Sequence, residues 1–475
     1  MFCAENIKYD VSERTQAINA GGIGLVHKMV RKLGLPALID QHVNLLGAYL
    51  PYHESDHVLN IAYNMLCGGR TLDDIELRRN DNAFLDALGG VKAIPDPTTA
   101  GDFCRRFAEN DVHLLMAVLN QVRQKVWAMQ PRSFFDIARI DVDGVFVSTL
   151  GECKQGMDIN YKGGWGYHPL VCSLANTQEP LYIINRPGNR PSHDGAAVIL
   201  DKAIELCQRA GFARIMLRGD TDFSLTANFD RWSKSATFVF GVDASEPLRD
   251  HADLFPESLY EELVRRVRTP ATPPRARPEN VKEKVVEERG FDNIRLISED
   301  LGEFEHQPAR CSQPYRVIFV RKNLEVAIGK QVLFEDHRYF FYITNDWGMS
   351  AEEIVREANG RCNQENLHAQ LKGGVCALRA PLKTLVSNWA YMVMASLAWS
   401  LKAWLALHLP ETGKDAAANV EAKRELVTME FRTFLGAMML VPAQILNKGR
   451  QLIYRLLSWN QWQPIFFRLT VVMNC

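Results

Sequence analysis

The sequence predicts an α/β protein with a mixed five-stranded sheet, interrupted by a β-rich insertion and flanked by helical N- and C-terminal regions. Three observations indicate this fold class. The hydrophobic spacing is helical before about residue 130 and again beyond residue 381; it becomes strand-like from Arg139; and a proline-rich, charged stretch interrupts the strands. At 475 residues, 47% hydrophobic and 23% charged, the chain can bury a core and is long enough for two or three structural units.

The N-terminal region, residues 1–135, has apolar residues at helical spacing, for example from Ile23 to Leu35 and from His57 to Leu66. Glycine pairs and prolines divide it into short helices. The segment from Asp96 to Arg106 resembles a capped short helix with a basic edge. It is compatible with a helix-turn-helix and equally with a packing bundle.

The next segment, residues 136–245, alternates strands and helices. The strands and helices expected are, in order, Ile140–Val147, His168–Ala175, Leu181–Asn185, a helix Gly195–Ala210, Arg214–Arg218, a helix from about Leu225, and Thr237–Val242. Three strands, a helix, a strand, a helix and a strand give a mixed sheet. This order is typical of an RNase H-like core.

The remaining segments complete the predicted organisation. Residues 246–335 form a β-rich insertion, which begins with a basic, proline-rich stretch (Arg265, Arg266, Arg268, Arg275 and Arg277). Residues 336–380 return to the core, with a capping box at Ser350 that begins a long helix. Residues 381–475 are expected to be helical. Bases outnumber acids from Lys372 onward, so this region and the basic stretch are each either a track for a phosphate backbone or an ordinary solvated face.

Three acidic residues are placed where α/β proteins form sites. Asp143 lies late in the first strand and Asp220 directly follows the fourth, so both carboxylates are expected at one edge of the sheet. Glu365 shares a helix face with Arg361, His368 and Lys372. Three converging carboxylates repel one another unless cations lie between them. Two divalent ions in such a site can catalyse phosphoryl transfer, and oxygen ligands favour Mg²⁺, with Mn²⁺ as a substitute.

The spacing Arg361-x3-Glu365-x6-Lys372 resembles the R-x3-E-x6-K signature of the cut-and-paste DDE transposases of bacterial insertion sequences. The segment from Leu217 to Phe223 looks like the second-aspartate block of that superfamily. Asp141-Val142-Asp143 resembles the first block of its insertion-sequence thirteen-eighty type. The resemblance spans residues 139–375. One departure is visible, because the tyrosine expected three residues before the arginine is Ala358.

The resemblance implies that Asp143, Asp220 and Glu365 are catalytic and hold two Mg²⁺ ions. It implies that Arg361 and Lys372 contact phosphates of double-stranded DNA, both terminal inverted repeats and target. It also implies a homodimer that brings two ends together. In this context residues 1–135 are expected to bind DNA, and residues 381–475 to bind DNA or dimerise.

Several residues have competing interpretations. Asp141 competes with Asp143, because residues two apart on a strand point the same way. Asp222 competes with Asp220 but is also suited to capping the next helix. Glu365 on its own fits a simple helix ion pair. Further candidates for DNA contact are His368, which is equally compatible with an ordinary surface histidine, and Lys162 and Trp165 at a glycine-rich turn, where Trp165 either stacks on a base or covers the core.

The function indicated is a transposase that cuts and joins DNA, with two alternatives: a structure-specific nuclease, and a catalytically silent DNA-binding derivative. Other classes have little support. Ten scattered cysteines without a C-x-x-C pair argue against structural zinc and disulfides. No uncharged apolar run is long enough to predict a membrane span, so no membrane association is expected. The expected location is the bacterial cytoplasm. Basic residues around the acids suit phosphate better than the sugar of a glycosidase substrate.

Overall fold

The structure is a computed structural model that describes residues 9–10, 15–47, 51–263, 285, 288–289, 292–328, 331–448, 451–457 and 460–474. The basic residues from Arg265 to Arg277 lie outside this range, so their interaction with DNA stays a prediction. The described strands are β1 (Gln16–Ile18), β2 (Ala138–Gly144), β3 (Val147–Ser148), β4 (Asp158–Ile159), β5 (Trp165–Tyr167), β6 (Leu170–Leu174), β7 (Glu179–Ile184), β8 (Ile215–Gly219), β9 (Thr237–Val242), β10 (Glu261–Glu262), β11 (Asp292–His306), β12 (Tyr315–Ile328), β13 (Gln331–Thr344), β14 (Ala443–Lys448) and β15 (Gln451–Leu456).

Helices surround these strands. The described α-helices are α1 (Ile23–Leu33), α2 (Leu35–His42), α3 (Glu54–Leu66), α4 (Glu76–Arg79), α5 (Asn82–Ala87), α6 (Pro97–Arg105), α7 (Glu109–Trp127), α8 (Ala196–Ala210), α9 (Phe229–Trp232), α10 (Glu246–Asp253), α11 (Ala351–Gly360), α12 (Cys362–Ala369), α13 (Leu385–Leu407), α14 (Ala416–Thr428), α15 (Phe431–Phe434) and α16 (Gln463–Asn474). Two π-helical turns, Gln370–Gly374 and Leu435–Met439, follow α12 and α15.

Three short strands that were not predicted, β3, β4 and β5, form a separate sheet in the order β3-β5-β4. The other elements between β2 and β9 occur in the predicted order: three strands, a helix, a strand, a short helix and a strand. Their strands lie side by side as β9-β8-β2-β6-β7. β2 is parallel to β8, and β8 is parallel to β9. β6 and β7 continue the sheet in antiparallel fashion. The chain therefore forms a mixed sheet whose two acid-bearing strands, β2 and β8, are direct neighbours.

The predicted insertion does not form a separate sheet. Its strands β10 to β13 extend the central sheet to nine strands in the order β10-β11-β12-β13-β9-β8-β2-β6-β7. The junction is the antiparallel pairing of β13 with β9, in which Phe341 faces Val242. The predicted number of five strands is therefore wrong, since the sheet has nine. The sheet continues beyond β9 because β13 forms hydrogen bonds with the backbone groups along the edge of β9.

The terminal regions are mostly helical, as predicted, but not entirely. A small sheet joins them, in which β14 pairs with both β1 and β15. Gly21 and Gly22 continue the contact by donating backbone hydrogen bonds to the carbonyl groups of Val441 and Met439. The periodicity of a short apolar run, such as the one in β15, fits a strand and a buried helix equally well. For this reason the prediction of a helix at β15 was wrong.

Helix α13 is the centre of the helical part of the fold. It is apolar and long enough to cross a membrane by length and composition alone, yet all but its first two residues are buried among the protein's own elements. It packs against α3, α7, α14 and β7. This burial is typical of a core helix in a globular protein.

A fully buried lysine lies within α13. The Lys402 Nζ donates to the carbonyl oxygen of Val427 at 2.8 Å and sits 3.7 Å from the ring centroid of Trp399. Burial lowers the pKa of Lys402 to about 7, because the ammonium loses its hydration. The folded state therefore releases this proton well before the unfolded state does.

Lys402→Met is expected to remove a pH-dependent part of the protein's stability. In the wild type, Lys402 is protonated in both the folded and the unfolded state below pH 7. Above pH 7, Lys402 keeps its proton only in the unfolded state. Stability should therefore rise with pH between about 7 and 10, by up to about 1.4 kcal/mol per pH unit. Urea unfolding of both proteins across this range measures the difference. An equal pH slope in the two proteins would contradict the assignment.

A buried carboxylate links this helical centre to the sheet. Glu179, at the start of β7, is fully buried. It accepts hydrogen bonds from Arg123 Nε at 2.8 Å and from the indoles of Trp127 at 3.1 Å and Trp404 at 2.6 Å. The Thr177 hydroxyl donates a fourth bond. The buried charge is thus compensated by a cation and a complete set of donors, as a buried ion requires.

Candidate active site

Asp143 and Asp220 meet at one edge of the central sheet. Asp143 is the penultimate residue of β2, and Asp220 directly follows β8. The Asp220 carboxylate accepts the backbone N–H of Asp222 at 3.0 Å and so begins a short 3₁₀ turn. Asp222 was expected to cap the next helix, whereas the capping side chain at this turn is Asp220 itself.

Arg361 lies between the two carboxylates. Its Nη1 atom is 3.8 Å from an Asp143 oxygen and 4.0 Å from an Asp220 oxygen. Burial raises the pKa of Asp143 to about 7, with further increases from the charges of Asp220 and Glu365 and a partial reduction by Arg361. Burial also raises the pKa of Asp220. The site thus concentrates more negative charge than one guanidinium neutralises.

The third acid comes from the helix that covers this edge. Helix α11 begins at a capping box between Ser350 and Glu353, and α12 continues it after Arg361. Glu365 is exposed on α12 and close enough to Asp143 to raise its pKa. The helix is fixed to the sheet by Gln364, whose amide donates to the Val171 carbonyl on β6 at 3.0 Å.

His368 is buried next to the acids, not exposed on the helix surface. Its Nδ1 atom lies 3.9 Å from Asp143, and its side chain is 9% exposed. Burial, with smaller effects of Lys372 and Arg361, lowers the pKa of His368 to about 3, so the imidazole is neutral. Its Nε2 atom is buried and has no hydrogen-bond partner among the described residues.

The other predicted DNA-contacting residues are spread over two places. Lys372 lies in the π-helical turn after α12, where partial burial lowers the pKa of its ammonium and the charge of Asp143 offsets part of this decrease. Trp165, on β5, is 52% exposed, and the Lys162 ammonium lies 5.2 Å from the ring centroid of Tyr161. Neither Lys162 nor Trp165 forms an ion pair or hydrogen bond with the acids in the described part of the chain.

Four charged residues beneath the site were not predicted to work together. Arg218 on β8 makes a two-pronged ion pair with Asp141 at 2.7 and 2.9 Å. Its Nη1 atom also contacts Glu357 of α11 at 3.0 Å. Glu357 in turn pairs with Arg139 at 2.7 Å. This charged network connects β2, β8 and α11, and it occupies Asp141, the alternative to Asp143.

Gly360 allows this close approach of helix and sheet. A Cβ atom at residue 360 would lie 2.6 Å from Nη1 of Arg218, too close for any side chain. Arg218 cannot easily move away because Asp141 holds it in a buried position. The network therefore fixes the helix that carries Glu365 at a set height above Asp143 and Asp220.

Glu357→Gln is expected to lower the free energy of unfolding by about 1–3 kcal/mol. The change leaves Arg139 without its carboxylate and Arg218 with one of its two. Chemical denaturation measures the effect. The matched control is Glu352→Gln on the same helix, whose ion pair with Arg356 is largely exposed and should contribute less than about 1 kcal/mol. Equal effects of the two substitutions would contradict the role of the network.

The donor set of this site suits hard divalent cations. The pair Asp143 and Asp220 offers carboxylate oxygens, whose mutual repulsion and desolvation are what a bound cation relieves. Across the described ranges, no three His, Cys, Asp or Glu side chains form a complete metal-binding group. The fit therefore rests on the aspartate pair, with Glu365 exposed beside it.

Comparison with known families identifies the chain. A family profile described as "Transposase DDE domain group 1" matches residues 11–474. The chain belongs to this DDE transposase family. Membership implies that this DDE transposase cleaves and joins DNA. No curated protein matches its sequence significantly. Among solved structures, it is similar to one titled "Cryo-EM structure of piggyBac transposase synaptic complex with hairpin DNA", at 11% identity and a TM-score of 0.37 over 89% of this chain and 84% of that chain.

Proposed function

We propose that the protein is a cut-and-paste transposase of a bacterial insertion sequence, in which Asp143, Asp220 and Glu365 are the catalytic carboxylates. It would cut DNA at terminal inverted repeats and join the freed ends to target DNA. The observation that carries this proposal is the meeting of Asp143 and Asp220 at adjacent strand ends under the helix that bears Glu365.

The core is proposed to be RNase H-like. The support is the sheet order β9-β8-β2-β6-β7, with β6 and β7 antiparallel and the other strands parallel. In such a sheet, side chains at the carboxyl ends of the parallel strands share one crevice. Residues 1–135 and 381–475 would then act around this core as DNA-binding or dimerisation regions, and the insertion of residues 246–335 as an extension of its sheet.

The proposed mechanism relies on positioning and charge. Asp143 and Asp220 would hold two carboxylates at a fixed separation, and Arg361 would place its guanidinium next to the scissile phosphate. Lys372 would contact a neighbouring phosphate. Asp143, Asp220 and Glu365 would hold two divalent cations, Mg²⁺ or Mn²⁺, whose chemistry when bound would be activation of the attacking water or 3′ hydroxyl and stabilisation of the leaving oxygen. The buried, neutral His368 would keep water away from one side of Asp143.

The partners are proposed to be double-stranded DNA and a second copy of the chain, in the bacterial cytoplasm. The deciding test is excision in cells of a marker flanked by the element's inverted repeats, comparing wild type with Glu365→Gln. Loss of excision with DNA binding retained is the expected result. Undiminished excision would assign Glu365 a structural role. Cutting without joining in a purified system would instead assign a nuclease.

A further inference from the structure

A basic groove leads away from the acidic site. It has a volume of about 800 Å³ and is formed by three parts of the chain: the turn at Arg70 and Thr71, the segment 146–154 after β2, and the segment 378–381 after the π-helical turn. Lys372, in the π-helical turn that directly follows α12, lines it as well. The groove therefore begins next to the helix that bears Glu365.

The charge in this groove has one sign. Four cations line it, Arg70, Lys154, Lys372 and Arg379, and none of its lining residues is acidic. Arg70, Lys372 and Arg379 form no ion pair with a described residue. Asp74, which shares the turn of Arg70, is instead occupied by backbone N–H groups of that turn. Cations concentrated in a concave surface create a positive potential that attracts an anionic ligand.

The walls of the groove are held together by the protein itself. The Lys154 ammonium donates to the carbonyl oxygen of Ala380. The backbone N–H of Gln155 donates to the carbonyl oxygen of Lys383 at 2.8 Å. These bonds join the segment after β2 to the segment before α13. The groove is thus formed without a ligand, and three of its cations remain available to bind one.

The polar donors between the cations match phosphate oxygens. Ser148 and Thr149 line the same groove and offer hydroxyl groups, whereas the hydroxyl of Thr71 already donates to Asp74 at 3.0 Å. Hydroxyls and basic side chains are the groups that most often contact DNA phosphates. A single small anion would fill only part of this volume, whereas a run of phosphates would contact cations contributed by separate parts of the chain.

We propose that this groove binds the sugar-phosphate backbone of one strand of duplex DNA and leads that strand to the acidic site. The inference rests on the proposed function for the identity of the ligand. Arg70, in the N-terminal helical region, and Arg379, next to the core, would grip the same strand. The groove therefore assigns phosphate contacts to two residues outside the acidic site and its helix.

The test is the salt dependence of DNA binding by the full chain in metal-free buffer, using a labelled duplex of arbitrary sequence. Arg70→Gln/Arg379→Gln is expected to reduce the slope of log K against log salt by about 0.9 for each cation removed. The control is Arg209→Gln on α8, whose exposed side chain pairs with Glu205; it should leave the slope unchanged. Arg70→Gln alone changes an exposed side chain and is used if the double variant is unstable.

The outcomes separate this inference from the proposed function. An unchanged slope in Arg70→Gln and in the folded double variant would overturn the groove assignment, even if the wild type excises its element normally. A reduced slope would support the groove even if Glu365→Gln retained full excision and so contradicted the proposed active site.

Discussion

Asp143→Asn is expected to abolish strand cleavage while leaving the fold as stable as, or more stable than, the wild type. Losing a residue that merely hydrogen-bonds to a metal ligand typically costs about 10–100-fold in activity. Because Asp143 is proposed to bind the metal itself, the loss of cleavage should exceed about 100-fold. The stability gain, about 1–2 kcal/mol without divalent cations, follows because a neutral amide avoids the burial and repulsion that raise the pKa of Asp143 to about 7. Plasmid cleavage and urea unfolding measure the two effects.

Asp222→Asn is the matched control, because Asp222 is exposed, lies two residues from Asp220 and contributes only its backbone N–H to the cap. It should cleave at nearly the wild-type rate. If Asp143→Asn cleaved normally, the catalytic assignment would be wrong. If it unfolded, Asp143 would be a structural residue, since the geometry predicts the opposite change in stability.

Glu179→Ala is expected to destabilise the protein by about 3–5 kcal/mol. The substitution leaves the Arg123 guanidinium buried without its partner and removes the acceptor for two buried indoles. Since natural domains are stable by only about 5–15 kcal/mol, this is a large fraction of the total. Urea unfolding followed by tryptophan fluorescence measures the change.

The control for Glu179 is Glu205→Ala on α8, an exposed carboxylate paired with Arg209 at 3.5 Å, which should change stability by less than about 1 kcal/mol. A double variant, Arg123→Met/Glu179→Leu, tests the cause. It should recover part of the loss, because no unpaired charge remains buried. If the double variant lost as much as the sum of both single variants, the buried charge would not be the reason.

The succession of strands and helices along residues 136–245 could largely be predicted because the main strands have their own local signatures. The apolar run Ile215–Leu217 and the alternation around Asp143 mark strands whatever their neighbours are. Which edge an inserted strand joins is a tertiary choice, and it depends on backbone groups that no side-chain pattern reports. The extension of the sheet through β13 was therefore not predicted, and neither were the two small sheets β1-β14-β15 and β3-β5-β4.

The proximity of Asp143 and Asp220 could be predicted because parallel strands bring their carboxyl ends to one edge of the sheet. The supporting network was missed. Glu357 on α11 looks like any solvated helix residue in sequence, and its burial depends on the close contact at Gly360. A signal was present in Arg218, a charged residue that directly follows the apolar run of β8. Such a residue needs a buried partner, and Asp141 is the one available on the neighbouring strand.

Strand β13 has a mechanical consequence. It pairs with β12 along its whole length, with one register shift opposite Val326 and Ala327, and its last residues, Phe341–Thr344, also pair with β9, the neighbour of β8. A loop between two domains can act as a hinge, whereas a strand that is hydrogen-bonded on both sides resists bending. The insertion is therefore coupled to the sheet edge beside Asp220, and a displacement of β13 would move β9 with it.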